Sequence, residues 1–437
     1  MMMFSARMAI LLLAAIAALP GAAQAQLKAS VGDWPGWMGA NRTGVSQETG
    51  LLKQWPKDGP KLLWKAQDIG EGYSTPSLAA GKIYLMSNRG RDDEFALALS
   101  AKDGSKIWEQ RVGKVGPNVQ QANYYGSRST PTIDGDVLYV LGSDGDLACL
   151  DSAKGEVRWK KNLRADFEGK PGLWAYAESP LIDGDVLVCT PGGDTATLVA
   201  LNKTNGEVLW KSAVPGKDIG SGFMTMKSNT AAYASAIVAT VGGVKQYIQS
   251  LTGGMVGIAA QDGKLLWRYD KLTGNTMCNT PLFHDGYVFL SALTPSGAAG
   301  SALVQLTTTG EGMTAKEIYH VKSLASHHGG VVRVGDAVYG TTQNSLVCID
   351  FKTGETKWQN RCVGKGSIAA ADGRLYVRSE KGPIALVEAT PDAYKEIGRF
   401  EQPDRSAKNA WPHPVIAGGR LYLRDQTVLL CYDVKPE

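Results

Sequence analysis

Short apolar and polar segments alternate along most of the chain and form a repeated pattern. One unit, at residues 147–163, reads LACLDSAKGEVRWKKNL: an apolar segment, a polar turn with a glycine, and a second segment with a tryptophan. Related units begin at Leu97, Leu198, Val256 and Leu346. Apolar runs of this length between turn residues are typical of β-strands, and their recurrence indicates a fold built from repeats.

Each unit is predicted to contain four strands, which we name A to D in chain order. Strand A follows a Ser-Pro, Thr-Pro or His-Pro signal, seen at residues 74–78, 129–133, 179–182, 280–283 and 413–416. Tight turns follow, as at Asp134 and Gly135, because Asp and Gly tolerate the positive φ angles that hairpins require. Strands B and C each occur eight times, so eight units are predicted.

Strand D carries an aromatic residue. Only seven of the eight C strands are followed by a D strand. Its aromatic residues are Trp108, Trp159, Trp210, Trp267 and Trp358, with Tyr319 and Phe400 in two degenerate copies. No D strand follows the eighth C strand before Glu437, whereas an unmatched D-like strand with Trp64 precedes the first A strand. We expect this N-terminal strand to complete the last unit, because a closed ring leaves no sheet edge open. The predicted fold class is all-β, an eight-bladed β-propeller of four-stranded blades.

The recurring tryptophans are predicted to have a structural role. Each lies at the same place in an outer strand, where its ring can pack flat on the neighbouring blade. The glycine in the C–D turn allows that close approach. The residues assigned to this docking are Trp64, Trp108, Trp159, Trp210, Trp267 and Trp358.

The first 25 residues are predicted to be a cleavable signal peptide. Arg7 supplies the positive start, an apolar run follows, and Ala23 and Ala25 occupy the small positions of a signal-peptidase site. Residues 26–60 are expected to form an N-terminal segment and residues 61–437 the propeller. We expect a periplasmic or secreted protein without a lipid anchor or stable membrane insertion, because no cysteine lies at the cleavage site and no later segment has 18 uninterrupted apolar residues.

Net charge limits the kinds of partner that we expect, and cysteine usage indicates whether disulfides form. The net charge is +4 over 437 residues and no Lys/Arg cluster stands out, which argues against nucleic acid. Cys149, Cys348 and Cys431 occupy one position in their repeats, where another copy has Ala200. Such a site is a small buried strand position, so the six cysteines are predicted to be free. A monomer is expected.

The repeat resembles a known motif. Its pattern of Leu, Asp, Gly and Trp at fixed spacing is similar to the pyrroloquinoline quinone (PQQ) repeat, and residues 33–46, DWPGWMGANRTGVS, resemble the opening of exported PQQ-like propeller proteins. The resemblance extends from Asp33 to the C-terminus and implies an eight-bladed propeller related to quinoprotein dehydrogenases and to BamB-like assembly proteins. It is specific for fold and not for function, because one fold hosts unrelated sites.

The resemblance to quinoprotein enzymes implies a cofactor, PQQ with Ca²⁺, held by carboxylate and amide oxygens beside a catalytic Asp and often an adjacent cysteine pair. This chain has no two adjacent cysteines and no Cys-x-x-Cys-His haem motif. We therefore expect no cofactor, with PQQ and Ca²⁺ kept as an alternative. The BamB-like role implies lipid anchoring, for which this chain lacks the cysteine.

A binding site is expected in the loops that join each D strand to the next A strand, because these loops converge around the central channel on one face. Aromatic and ionisable residues are dense there. The candidates are Tyr73, Tyr125, Arg128, Trp174, Tyr176, Glu178, Asn275, His327, His328, Lys365, Trp411 and His413.

These residues have two interpretations. They could form a pocket, because aromatic faces stack on rings and charged groups read hydroxyls or an anion, or they could plug the channel by bonding one another. A His near Glu or Lys could act as a general acid or base. No metal site is assigned, because the adjacent His327 and His328 would point to opposite faces of an extended strand.

Three functions follow. The first is an exported propeller that binds a small polar or sugar-like ligand, or a protein partner, at the channel mouth, with catalysis left unassigned. The second is a PQQ-dependent oxidoreductase acting on an alcohol or sugar. The third is a carbohydrate-active lyase or hydrolase that uses the rim residues.

Overall fold

The chain folds into eight four-stranded antiparallel sheets arranged as the blades of a propeller. The structure, a computed structural model, describes residues 27, 29–116, 124–220, 225–293, 299–310 and 312–436. The predicted signal peptide, residues 1–25, lies outside these residues. The eight-bladed all-β prediction is confirmed.

The first strand in the chain is β1 (Leu62–Ala66), and the strands of blades 1 to 4 come after it. Blades 1 and 2 contain β2 (Ser77–Ala79), β3 (Lys82–Arg89), β4 (Asp93–Ser100), β5 (Lys106–Lys114), β6 (Thr132–Asp134), β7 (Val137–Leu141), β8 (Asp146–Asp151) and β9 (Val157–Asn162). A short helix, α1 (Leu163–Phe167), follows. Blade 3 contains β10 (Leu181–Asp183), β11 (Val186–Cys189), β12 (Leu198–Asn202) and β13 (Val208–Ser212). A separate pair, β14 (Asp218–Ile219) and β15 (Met226–Lys227), precedes blade 4, which contains β16 (Ile237–Val241), β17 (Val244–Leu251), β18 (Gly254–Ala259) and β19 (Leu265–Tyr269).

The remaining blades continue in chain order. Blades 5 and 6 contain β20 (Leu282–His284), β21 (Tyr287–Ala292), β22 (Gly300–Thr309), β23 (Gly312–Val321), β24 (Val331–Val334), β25 (Ala337–Thr341), β26 (Leu346–Asp350) and β27 (Thr356–Asn360). Blades 7 and 8 contain β28 (Gly366–Ala371), β29 (Arg374–Ser379), β30 (Ile384–Glu388), β31 (Glu396–Phe400), β32 (Val415–Ala417), β33 (Arg420–Asp425) and β34 (Val428–Asp433).

The ring is closed by the N-terminal strand. β1 pairs antiparallel with β34, with Trp64 opposite Cys431 and Ala66 opposite Leu429. The sheet order β1–β34–β33–β32 makes β1 the outer strand of blade 8. The predicted closure is confirmed, and it leaves no blade with a vacant outer position.

The core lies in layers between neighbouring blades. Leu138 and Val140 of blade 2 pack with Tyr84 and Met86 of blade 1. The middle strands are buried on both faces by the blades beside them, so most of their side chains are apolar, as in β7. In outer strands such as β9, exposed and half-buried side chains are mixed, and several of them are charged. This layering explains why strands B and C are apolar and strand D is mixed.

Most of the recurring tryptophans contact the C–D turn of the next blade. Trp108 Nε1 donates to the carbonyl of Ser152 at 3.1 Å. A Cβ added to Gly155 would lie 2.6 Å from the Trp108 ring, so only glycine fits there. Trp159, Trp210 and Trp358 make the same kind of hydrogen bond to Lys203, Ala260 and Thr390. Trp64 packs on Gly104 in the same way.

Trp267 departs from this pattern. Its indole donates to Gln246 Oε1 of its own blade at 2.6 Å, although its ring still packs in the layer shared with blade 5. The equivalent contact from blade 5 to blade 6 is made by Tyr319, whose hydroxyl donates to the carbonyl of Phe351 at 2.8 Å and whose ring covers Gly354.

All six cysteines are free. Cys149, Cys348 and Cys431 are buried on C strands, at the position where blade 3 has Ala200. The absence of disulfides was predicted from that exchange between Ala and Cys.

Candidate functional site

The N-terminal segment crosses the central channel and forms a floor. Its backbone pairs with Leu78 of blade 1 through Trp34 and with Ala370 of blade 7 through Val45. Between these points, Trp37 Nε1 donates to Thr280 Oγ1 at 2.8 Å, at the start of blade 5. The segment therefore touches inner strands on opposite sides of the ring.

A cavity of about 400 Å³ opens above this floor. This volume suits a small-molecule ligand. Eight of the twelve predicted rim residues line the cavity: Tyr73, Arg128, Trp174, His327, His328, Lys365, Trp411 and His413. These residues come from several blades, and the D–A loops bring them together around one cavity.

The other four predicted rim residues do not line it. Tyr176 is buried, and its hydroxyl donates to the carbonyl of Pro191 at 2.9 Å. Glu178 is buried and accepts from Thr190 Oγ1 at 2.8 Å. Asn275 is buried, and two other residues of the same loop, Thr276 and Cys278, line the cavity in its place. Tyr125 is half-buried and packs against Val115 and Ala175, with Lys408 over its ring. Polar side chains in these loops thus also serve the packing between blades.

Aromatic rings form one wall of the cavity. The Trp411 ring lies 4.5 Å from the Tyr73 ring and 5.2 Å from the Tyr124 ring, measured between centroids. Arg128 lies over Tyr73, with its guanidinium carbon 5.5 Å from the ring centroid. Its nitrogens donate to the carbonyls of Gly126 at 3.0 Å and Tyr124 at 2.5 Å. These contacts fix the guanidinium without neutralising its charge.

A second cluster surrounds Glu380, which lies behind the lining. Its Oε1 is 2.8 Å from His328 Nε2, 3.0 Å from Lys365 Nζ and 2.9 Å from Trp411 Nε1. His413 Nε2 lies 3.1 Å from the carbonyl of His328.

The two adjacent histidines both face the cavity, with ring centroids 4.5 Å apart. The expectation that they point to opposite faces is wrong, because His327 and His328 lie in a bend before β24 and not in an extended strand. Within the described residues, no cluster of three His, Cys, Asp or Glu side chains is arranged to hold a metal ion.

Burial sets the protonation of the site. It lowers the pKa of His327 to about 3, with the neighbouring His328 and Lys365 acting in the same direction. It lowers the pKa of His413 to about 4 and also lowers that of His328. These imidazoles are therefore neutral at pH 7. Burial also raises the pKa of the Cys278 thiol to about 12.

Glu380 remains ionised. Burial alone would raise its pKa, but the contacts with His328 and Lys365 outweigh burial and lower the pKa to about 2. Arg128 and Lys365 are the cationic side chains of the described lining, which includes no Asp or Glu. The cavity surface is thus aromatic and positively charged.

This lining does not fit PQQ with Ca²⁺. Calcium takes several oxygen ligands, chiefly carboxylates, and the described lining offers none. Glu380, the carboxylate behind the lining, already contacts three donors. No step of a mechanism is assigned to this cofactor.

Several lining residues were missed from the sequence. Trp37 comes from the N-terminal segment, which has no counterpart in the repeat. Tyr233 and Ser235 precede the A strand of blade 4, which lacks the Pro that marks the A strands of five other blades. The sequence feature that could have marked the start of this A strand was Ser235, which precedes an apolar segment. Cys278 sits in a recognised loop but was not selected.

Comparison with known families gives one match across most of the chain. The family model described as outer membrane protein assembly factor BamB matches residues 13–198, 194–312 and 313–393. The BamB of Moranella endobia is 22% identical over 222 residues, which cover 51% of this chain and 48% of that protein.

A second relative carries a different name. Tetrathionate hydrolase from Acidithiobacillus ferrooxidans is 26% identical over 443 residues, covering 90% of this chain and 80% of that protein. This match spans nearly all of the propeller.

Solved structures share the fold. BamB from Moraxella catarrhalis superposes with a TM-score of 0.60 at 16% identity, covering 86% of this chain and 98% of that one. Quinohemoprotein alcohol dehydrogenase from Comamonas testosteroni superposes with a TM-score of 0.61 at 13% identity, covering 93% and 81%. The predicted PQQ-like propeller is confirmed. Among the described residues, no helix has the length and apolar character needed to cross a membrane.

Proposed function

The chain belongs to the family described as outer membrane protein assembly factor BamB, and from that premise we propose that it is an envelope propeller that binds a small oxyanion at the channel mouth. The ligand class is an elongated sulfur oxyanion of the tetrathionate type. The small polar ligand expected from the rim residues is thereby narrowed to an anion.

One observation carries this proposal. Arg128 lies in the aromatic wall with its guanidinium held by two backbone carbonyls and the Tyr73 ring. No carboxylate of a described residue forms an ion pair with it. A charge removed from water without a counterion is costly, and burial lowers the pKa of Arg128 accordingly. An anionic ligand would supply the missing partner through charge-assisted hydrogen bonds.

The rest of the lining supports the same ligand class. Lys365, which is paired with Glu380, adds an ammonium group to the lining. The neutral His327 can donate to an oxyanion oxygen through its ring N–H group. Sulfur atoms make favourable contacts with aromatic rings, and Trp174 and Trp411 supply such rings. The relative named tetrathionate hydrolase supports a polythionate as the first ligand to test.

Calorimetric titration of the purified protein with tetrathionate, thiosulfate, sulfate and glucose tests the proposal. We expect the oxyanions to bind and glucose to leave the heat signal unchanged. Arg128→Met should weaken oxyanion binding about 10- to 100-fold, the range expected for losing hydrogen bonds to a charged group. Cys278→Ser should bind as the unmodified protein does, which excludes reaction of its thiol with tetrathionate.

Arg361→Met is the matched control, because Arg361 is exposed and is not among the residues that line the cavity. Thermal melting of each variant separates loss of binding from loss of fold. Tight binding of glucose with no binding of any oxyanion would overturn the proposal. So would unchanged oxyanion affinity in a folded Arg128→Met protein.

The family match favours a second candidate function, a part in outer-membrane protein assembly through a protein partner. Fluorescence titration with an unfolded outer-membrane β-barrel protein tests it. Saturable binding that Arg128→Met leaves unchanged would support a surface separate from the cavity. Failure of the barrel protein to bind would reject this candidate.

A further inference from the structure

His328 has one ring nitrogen in contact with a carboxylate and one without any partner among the described residues. Its Nε2 lies 2.8 Å from Glu380 Oε1, off the line of the ring N–H. Its Nδ1 is buried and has no hydrogen-bond partner among the described residues. The ring lines the cavity. A buried polar atom without a partner is unusual and calls for a ligand or a water molecule.

Glu380 is held in place by several contacts besides the one with His328. Its Oε1 accepts from Trp411 Nε1 and meets Lys365 Nζ. Its backbone N–H donates to the carbonyl of Lys365 at 3.0 Å, and its own carbonyl accepts from Arg405 and Ala410. The carboxylate is therefore a fixed negative charge beside Nε2.

A fixed carboxylate beside one nitrogen of an imidazole selects the tautomer with its proton on that nitrogen. In His328 this places the proton on Nε2 and leaves the Nδ1 lone pair free. The carboxylate also stabilises the imidazolium that forms when Nδ1 accepts a proton. The pair thus has the parts of a general base and its orienting group.

We propose that His328 is the general base of a hydrolytic reaction on the oxyanion bound in this cavity, and that Glu380 is its positioning residue. This inference rests on the proposed oxyanion-binding function. The substrate class is the polythionates, whose sulfur–sulfur bond water can cleave without any further reactant.

The step balances with water alone. A water proton passes to His328 Nδ1 as the water oxygen forms a bond to a terminal sulfonate sulfur of tetrathionate. The adjacent sulfur–sulfur bond breaks, and its electron pair leaves with the sulfane sulfur. The products are sulfate and the three-sulfur monosulfonate, and two protons are released in all, one of them by way of Nδ1. Arg128 and Lys365 are placed to hold the sulfonate oxygens.

The pH dependence follows from the groups around the ring. The titratable and charged residues that face His328 are Glu380, Lys365, Arg128, His327 and His413. Burial lowers the pKa of His328, and Glu380 partly restores it. The base is active when neutral, so the rate should fall as the pH drops through this lowered pKa. Removing the Glu380 charge should lower the pKa further and move the acid limb to lower pH.

The test uses the full-length protein with tetrathionate as substrate, and follows sulfate by ion chromatography. We expect His328→Asn to lower kcat about 100-fold or more, the usual contribution of a general base, with calorimetric affinity for tetrathionate changed less than about threefold, under 1 kcal/mol. Glu380→Gln should lower kcat less and shift the acid limb of the pH profile downward. His284→Asn is the control, because His284 lies at the surface of blade 5, away from the cavity.

Four outcomes decide the matter. Loss of kcat in His328→Asn with retained affinity, together with the shifted profile of Glu380→Gln, supports the proposal. Retained kcat in His328→Asn overturns it. A protein that binds tetrathionate without releasing sulfate also overturns it and leaves the binding function standing. A protein that binds no oxyanion removes both proposals. If His328→Asn fails to fold, the profile of Glu380→Gln decides, since an unmoved acid limb contradicts the assignment.

Discussion

Arg42 Nη1 donates to the carbonyl of Ala236 at 3.0 Å, at the start of blade 4. The same guanidinium donates to the carbonyls of Ser179, at 3.1 Å, and Pro180. Arg42 belongs to the N-terminal segment, whereas its acceptors precede the inner strands of blades 3 and 4. One buried side chain therefore ties the floor of the cavity to two blades.

Replacing Arg42 should destabilise the protein. Arg42→Met would leave three carbonyls without their donor, and the expected loss is about 3 kcal/mol, the order found for hydrogen bonds to a buried charged group. Urea unfolding followed by tryptophan fluorescence measures it. Arg361→Met, at an exposed site, should cost less than about 0.5 kcal/mol. Equal midpoints for the two variants would show that the floor does not depend on Arg42.

The blades could be predicted from the sequence and the floor could not. Each blade repeats the same local signals, so Asp134 and Gly135 or Trp159 are recognisable wherever they recur. Gly135 indeed has φ +64° in a hairpin turn. Arg42 occurs once, in a segment without a repeat, and its acceptors lie more than a hundred residues away. Nothing local distinguishes it from a surface arginine.

The glycine of the C–D turn should tolerate no side chain where a tryptophan covers it. Gly155 has φ +77° and would place a Cβ 2.6 Å from the Trp108 ring, whereas Gly135 has φ +64° and open space around it. Gly135→Ala should cost about 1 kcal/mol, for the left-handed backbone alone. Gly155→Ala should cost about 2 kcal/mol more, because the ring must move.

Urea denaturation of both alanine variants measures this difference. The two glycines share the same backbone conformation, so the second substitution controls for strain in φ. Similar losses of stability in both variants would mean that the Trp108 ring moves aside at no cost in free energy. The docking role assigned to the tryptophans would then lose its support.

Glu94 should make the stability of the protein depend on pH. It is fully buried, and its Oε2 accepts from the backbone N–H of Ser143 at 2.6 Å. Burial raises its pKa to about 7, although hydrogen bonds from Ser143 and Ser127 oppose the rise. The folded state thus holds a proton that the unfolded chain releases near pH 4.5. Its contribution to stability is complete below pH 4.5 and is lost as the pH rises to about 7.

Glu94→Gln removes this dependence. The free energy of unfolding of the unmodified protein should fall by about 3 kcal/mol relative to the variant between about pH 4 and about pH 8. Denaturant titrations across this range measure it, and the comparison cancels the histidines, which titrate in both proteins. Glu156→Gln, at an exposed site, should follow the unmodified protein. If the free energies of unfolding of Glu94→Gln and the unmodified protein run parallel across this pH range, the raised pKa of Glu94 is contradicted.

The candidate site was predictable as a region and less so residue by residue. The D–A loops were located from the repeat, and eight of their candidates do line the cavity. Loop position alone does not say whether a side chain faces the channel or the gap between blades. Glu178 faces that gap, where Thr190 and Gln249 donate to it. Glu380 was not chosen, because it lies at the end of strand β29 and enters the site only through its contacts with three loop residues.

Cys278 should be slow to react although it lines the cavity. Burial raises the pKa of its thiol to about 12, against the opposing charges of Arg128 and Lys365. At about pH 8, its thiolate fraction should then be roughly a thousandfold below that of an ordinary thiol, and alkylation requires the thiolate. Iodoacetamide, which is small and uncharged, should label Cys278 with a rate that keeps rising beyond about pH 10.

Mass spectrometry of the labelled peptide measures this rate. Cys362 is also partly exposed, so Cys362→Ser confirms which thiol is followed. Thiosulfate in the cavity should slow the labelling further, since it would occupy the space beside the thiol. Labelling at about pH 8 as fast as that of a free thiol would contradict the buried setting of Cys278. A slow thiol also has a consequence for the site: it allows a sulfur oxyanion to bind beside a cysteine without exchanging with it.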